Sequence, residues 1–169
     1  MLAAVSNKNL VGPGGALDLL RHGLNTANIT HALVVALDEQ TGTWLGRRGT
    51  AYYERRLVSR TGSTDNHATS GLKFKVLMDF LSVGCSVLLS DVDVIWLADP
   101  EPHLRTLWEA DVMTATDCLS PSADDERAPP ASRAAQGVNR CAFAAGNVHG
   151  HAAFNTGVLF FRDTPAAKA

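Results

Sequence analysis

Short apolar runs bounded by polar or glycine-rich clusters recur along this chain. Leu2 to Val5 predicts a first strand, closed by Ser6-Asn7-Lys8-Asn9. Gly12-Pro13-Gly14-Gly15 predicts a turn without the spacing of a phosphate-cradling loop. Ala16 to His22 predicts a short helix with Leu17, Leu20 and Leu24 on one face and Gly23 as its stop. Within Ile29 to Leu37, the run from Ala32 to Leu37 reads as a buried strand of parallel type, ended by Asp38-Glu39. Asp38 there can meet a ligand or cap the next helix, and capping is the commoner job. Gln40 to Gly49 predicts a helix carrying Trp44 and Leu45, and Thr50 to Tyr53 a third strand. Strand alternating with helix favours a doubly wound α/β sheet.

Arg60 to Thr69 is rich in Gly, Ser and Thr and reads as a loop. Ser70 to Gly84 is the best helix in the chain, with Ser70 as cap and Gly84 at a left-handed C-terminal turn. Lys73, Leu77, Phe80 and Leu81 share one face of it, and Lys75 and Asp79 form an i, i+4 surface pair. Val87 to Leu89 predicts a further buried strand, and Val94 to Leu97 continues apolar until Asp99-Pro100-Glu101-Pro102 stops any helix or central strand. Leu104 to Ala110 predicts a helix burying Leu104, Leu107 and Trp108, and Asp111 to Asp117 another strand. Cys118 to Val148 loses periodicity and reads as an insertion, flexible from Pro121 to Arg133. Phe154-Asn155-Thr156-Gly157 predicts a polar turn leading into a buried strand, Val158 to Phe161. The chain stops soon after, at Pro165 to Ala169, where an α/β domain continues into a helix. This points to a single domain, 1–169, truncated at its C-terminus.

Composition narrows the picture without redirecting it. At 169 residues, 46% hydrophobic and 19% charged, the chain can bury one sizeable core. A net charge of -2 gives no nucleic-acid footprint, and no run is long and apolar enough to span a bilayer. The three cysteines, Cys85, Cys118 and Cys141, form no Cys-x-x-Cys pair, so a structural zinc site of that type is not indicated.

The chemistry gathers at Ser90-Asp91-Val92-Asp93. In an extended backbone Asp91 and Asp93 point to one side and Val92 to the other. Ligands of open parallel sheets bind at the carboxyl ends of the strands. Two convergent carboxylates there suit a hard divalent cation and, through it, a phosphate; the plainer alternative is a solvated acidic turn. Lys73 likewise has two readings: a snorkelling side chain, or an ammonium directed at a diphosphate. His149 and His151, spaced i, i+2, suit a metal or a simple loop.

Four blocks together carry a family likeness. These are Val34 to Glu39, Ser70 to Leu77, Leu88 to Leu97 with Pro100, and Phe154-Asn155-Thr156-Gly157-Val158. The chain resembles the nucleotide-diphospho-sugar transferase domain of plant and algal glycosyltransferase family 77. Its Ser-Gly-Leu-Lys-Phe-Lys block looks most like the arabinosyltransferases that extend arabinose chains on hydroxyproline-rich cell-wall proteins. The resemblance implies a GT-A fold, a Rossmann-like, mostly parallel sheet flanked by helices, with Mn2+ (or Mg2+) as metal. It implies retaining transfer from a UDP-sugar donor to a glycoprotein or polysaccharide acceptor in the Golgi lumen. Carried onto this chain, Asp93 becomes a direct metal ligand. Asp91 becomes a metal or ribose contact, Lys73 a diphosphate contact, and Asn155, Thr156 and Gly157 neighbours of the sugar or acceptor. No catalytic nucleophile or base is assigned.

Two other readings compete. Asp-Val-Asp after an apolar strand also suits a haloacid-dehalogenase-type phosphatase, with Asp91 as nucleophile and Asp93 as acid/base. That motif normally opens a fold, whereas here several elements precede it. The other alternative is a fragment that binds UDP and metal without turnover.

Overall fold

The computed structural model describes residues 1–57, 66–107, 109–116 and 154–169. The elements in chain order are β1 (Leu2–Ser6), a 3-10 turn (Lys8–Leu10), α1 (Ala16–Thr26), β2 (Ala32–Ala36), α2 (Glu39–Gly46), β3 (Tyr52–Glu54) and α3 (Asn66–Ser82). They continue with β4 (Val87–Ser90), α4 (Glu101–Thr106), β5 (Val112–Thr116), β6 (Phe154–Phe161) and α5 (Pro165–Lys168). The sheet order is β3-β2-β1-β4-β6-β5. The chain divides into two compact units, Met1–Met113 with Leu159–Ala169, and Thr114–Val158.

In the first unit, β1 lies between β2 and β4, parallel to both, with Leu2 opposite Ala32 and Leu88. β3 adds to β2, also parallel. All five residues of β1 are buried, as expected of a strand covered on both faces. One core cluster joins Ala3, Val5, Val35, Leu37, Val87 and Leu89 of the sheet region to Leu72, Val76, Leu77, Phe80 and Leu81 of α3. Strand alternation turns Leu2, Ala4 and Ser6 to the opposite face. On α1, Leu17, Leu20 and Leu24 are buried. β3, at the edge, is three residues long and exposed throughout.

The helix boundaries differ from the sequence reading in instructive ways. α1 runs through Gly23, which is buried rather than terminal. A Cβ there would lie 3.3 Å from Ile95 Cγ2 and 3.4 Å from the Trp96 carbonyl oxygen, so the glycine serves close approach and not a stop. α3 begins at Asn66, so Ser70 lies inside the helix, and the expected loop ending at Thr69 ends earlier. Its far end is as expected. Gly84 has φ +78°, Cys85 N–H bonds the Phe80 carbonyl at 3.0 Å and Gly84 N–H bonds that of Leu81 at 3.2 Å, a Schellman closure. Asp79 does not serve Lys75; its Oδ2 accepts from Arg55 Nε at 2.7 Å. The proline pair does not prevent a helix. α4 starts at Glu101 with Pro102 in its first turn, where a missing N–H leaves no bond unmade. Leu107 lies beyond α4 and is exposed, because the helix starts and ends early.

In the second unit the described residues belong to β5 and β6. Asn155, Thr156 and Gly157 lie within β6 rather than in a turn before it. Thr114 Oγ1 donates to the Asn155 carbonyl at 3.0 Å, tying them to β5. At the other end of the chain, Thr164 caps α5 by accepting from Ala167 N–H. The expected insertion, Cys118 to Val148, with His149, His151 and Trp108, lies outside the described residues.

Candidate functional site

The chain winds from β1 outward to β2 and β3, then returns through α3 to β4 on the other side of β1. The winding direction therefore reverses between β1 and β4. In open parallel sheets the crevice beyond the carboxyl ends at such a reversal is where ligands bind. Ser6 and Asn7 leave β1 there, both buried, and Ser90 and Asp91 leave β4. In the sequence Ser6 and Asn7 are visible only as a polar pair directly after an apolar run; their burial is not.

Asp91 and Asp93 do not continue the strand. β4 ends at Ser90, and Val94 N–H bonds the Asp91 carbonyl at 3.3 Å across a tight turn. The alternation rule does not apply to a turn. Val92 is buried as its anchor, Asp91 is half-buried and Asp93 is exposed. Ser90 Oγ donates to the Asp91 carbonyl at 2.9 Å and accepts from the Trp96 indole N–H at 3.1 Å. One hydroxyl thus holds the acidic turn and the segment that follows it. Gly23 lets α1 come up against the Ile95 side chain and the Trp96 backbone.

Of the two readings of Lys73, the structure bears on snorkelling. The residue is buried at 6% exposure, so it does not snorkel, and its ammonium forms an ion pair with Asp91 Oδ1. Burying an ammonium costs several kcal/mol unless it is paired, so its placement at i, i+4 from Leu77 commits α3 to the acidic turn. The structure thereby joins Lys73 to Asp91, with Asp93 two residues on. Asn155, Thr156 and Gly157 belong to the second unit, where Asn155 Oδ1 accepts from Gly157 N–H at 2.6 Å.

Asp38 is a cap. Oδ1 accepts from Thr41 N–H at 2.9 Å and Thr41 Oγ1 at 3.0 Å, while Oδ2 accepts from Lys8 N–H at 2.7 Å. Its carboxylate joins the ends of β1 and β2 to the start of α2. Elsewhere, Asp18 and Asp111 are held below the ordinary carboxylate range. For Asp18 the main cause is the Gly14 N–H, and then Arg21. For Asp111 it is Arg162, and then the Thr164 hydroxyl.

The donor set fits a hard divalent cation. Asp91 and Asp93 leave one turn with oxygen ligands of the kind Mn2+ and Mg2+ prefer, and the Lys73 ammonium reduces the local charge of the two carboxylates from -2 to -1.

A sheet that reverses its winding where two aspartates and a buried lysine meet is the layout of a nucleotide-binding α/β domain. Residues 27–169 match the family described as nucleotide-diphospho-sugar transferase, and the chain belongs to that family. Arabinosyltransferase RRA2 of Arabidopsis thaliana is 39% identical over 105 residues, covering 60% of this chain and 24% of that protein. Arabinosyltransferase RRA1 is 38% identical over 93 residues, 53% of this chain and 23% of that protein. Arabinosyltransferase XEG113 is 25% identical over 150 residues, 86% of this chain and 21% of that protein. The chain thus spans less than a quarter of the length of these curated relatives. The crystal structure of galactosyltransferase LgtC with donor and acceptor sugar analogues superposes with a TM-score of 0.53 at 15% identity. The match covers 99% of this chain and 59% of LgtC, and at that identity it shows the shared GT-A fold.

Proposed function

We propose that this chain is the donor-binding part of a retaining, metal-dependent glycosyltransferase that moves arabinose from a UDP-sugar to a cell-wall glycoprotein or glycan. The observation that carries the reading is the acidic turn at the strand-order reversal, with Asp91 ion-paired to a buried lysine. The arabinosyl assignment rests on the names of the matched relatives, and a Golgi lumenal location on the same likeness. Among the described residues no helix is long and apolar enough to cross a membrane.

Each residue then has a task. Asp93, exposed on the turn, is the direct ligand of Mn2+ or Mg2+. Asp91, held by Lys73 through Oδ1, presents its carboxylate to the metal or the ribose. Lys73, paired with Asp91, is proposed as the diphosphate contact that the resemblance implies and as the group that positions Asp91. A divalent cation held there supplies Lewis-acid neutralisation of the leaving diphosphate. Ser90 and Trp96 keep the turn from moving as charge develops. Asn155, Thr156 and Gly157 are proposed to face the sugar or acceptor.

The test is calorimetric titration of UDP into the full chain, with and without Mn2+, for wild type and Asp93→Ala. Metal-dependent binding that disappears in the variant supports the donor site. Because Asp93 is exposed, the variant should keep wild-type stability within about 0.5 kcal/mol. Binding that ignores both metal and Asp93 overturns the proposal, as does phosphatase turnover without any sugar nucleotide.

A further inference from the structure

A second group of metal-type ligands lies away from the acidic turn. His31, just before β2, faces Asp99 and Glu101 at the start of α4, and one donor atom from each lies within 4.8 Å of the other two. His31 Nε2 is 3.5 Å from Asp99 Oδ1 and 3.3 Å from Glu101 Oε2. Both separations exceed the usual 2.9–3.0 Å or so of an N–H···O bond. They match the edge of a tetrahedron around Zn2+, roughly 3.3–3.6 Å for bonds of about 2.0–2.2 Å. The two imidazole–carboxylate separations therefore suit ligands of a common centre as well as they suit ion pairs.

The surroundings agree. Glu101 Oε1, the oxygen turned from His31, accepts from Arg105 Nε at 3.0 Å, and Asp99 Oδ1 accepts from Glu101 N–H at 2.9 Å. Ligating carboxylates are commonly oriented by such outer hydrogen bonds. His31 and Glu101 also line a cavity of about 290 Å3 with Leu88, Leu104 and Phe160, which gives room for an ion and a solvent ligand. A neutral imidazole with two carboxylates carries -2, which a divalent ion cancels. Imidazole in the set favours Zn2+ over Mg2+ or Ca2+.

We propose that His31, Asp99 and Glu101 form an open Zn2+ site, with three protein ligands and solvent as the fourth. It stands apart from the acidic turn and does not depend on the transferase reading. Such an ion would fasten the segment that leaves Asp91 at its far end, Asp99, to the amino end of β2.

The test uses the full chain carrying Asp93→Ala, which removes the donor-site ligand, stripped of metal and titrated with Co2+ as a coloured substitute for Zn2+. One equivalent should give the strong visible bands of tetrahedral Co2+, without the near-ultraviolet sulfur band that a cysteine ligand would add, and Zn2+ should bleach them. Adding His31→Ala should weaken binding by at least about tenfold. Glu101→Gln gives the same readout should the alanine variant fail to fold. Absence of tetrahedral bands, or bands that survive in both variants, overturns the site.

Discussion

Replacing Asp91 by alanine removes the counter-charge of a lysine whose side chain is 8% exposed, while replacing Lys73 by methionine leaves behind an aspartate whose side chain is one-third exposed. The two halves of one ion pair should therefore have very different costs. Breaking a buried pair from one side costs about 3–5 kcal/mol because a charge is stranded. Some water can follow the vacated carboxylate at this half-open position, so about 2–3 kcal/mol is the expected loss for Asp91→Ala. Lys73→Met keeps the packing volume beside Leu77, and its stranded carboxylate is already wet, so the loss should stay within about 1 kcal/mol. Adding Lys73→Met to Asp91→Ala should recover most of the stability, since no buried charge then remains. The assay is equilibrium urea unfolding of the four chains followed by far-ultraviolet circular dichroism. In thermal unfolding the Asp91→Ala loss corresponds to about 4–12 °C for a chain of this size. Equal losses in the two single variants, or a double variant weaker than Asp91→Ala, would refute the claim that burial of the lysine sets the energetics.

Other expectations follow from single contacts. Gly23→Val pushes a side chain into the Ile95 side chain and the Trp96 backbone; it should cost about 1–3 kcal/mol and weaken UDP binding in calorimetry by moving the acidic turn. Asp38→Ala removes a cap that also holds Lys8, and should cost about 1–2 kcal/mol in urea unfolding without changing metal binding. The depressed Asp111 carboxyl contributes stability that is fully present above its unfolded value near 3.8 and is lost as pH falls through the lower folded value. Asp111→Asn should therefore flatten the acid limb of a stability-pH curve below about pH 4, and added salt should shrink the difference.

Much of the first unit was legible because its strands are continuous apolar runs: β1, β2 and β4 fall where Leu2 to Val5, Ala32 to Leu37 and Val87 to Leu89 stand. Local chemistry also spoke plainly at Asp38 and Gly84, whose cap and left-handed turn depend on neighbours within five residues. What failed was local inference where a distant partner decides. Gly23 looks like a stop until Ile95 is placed over it, and Asp79 looks like a partner for Lys75 until Arg55 arrives from beyond β3. At the site, Asp91 and Asp93 were legible as residues but not as geometry, because a turn replaces the strand on which their alternation was argued. Lys73 showed the reverse: its helical face was readable, and its partner, eighteen residues away, was not.

β3 is one margin of the sheet. A sheet margin with unpaired backbone groups invites a strand from another molecule, above all while folding is incomplete. Here the margin is only Tyr52–Glu54, too short to template a long ladder. Charge follows immediately: Glu54 pairs with Arg56, and Arg55 is drawn to Asp79 on α3. Lengthening this strand, or neutralising Arg55 and Arg56, would be expected to trade solubility for intermolecular pairing, and the margin is best left intact in any engineered version of the domain.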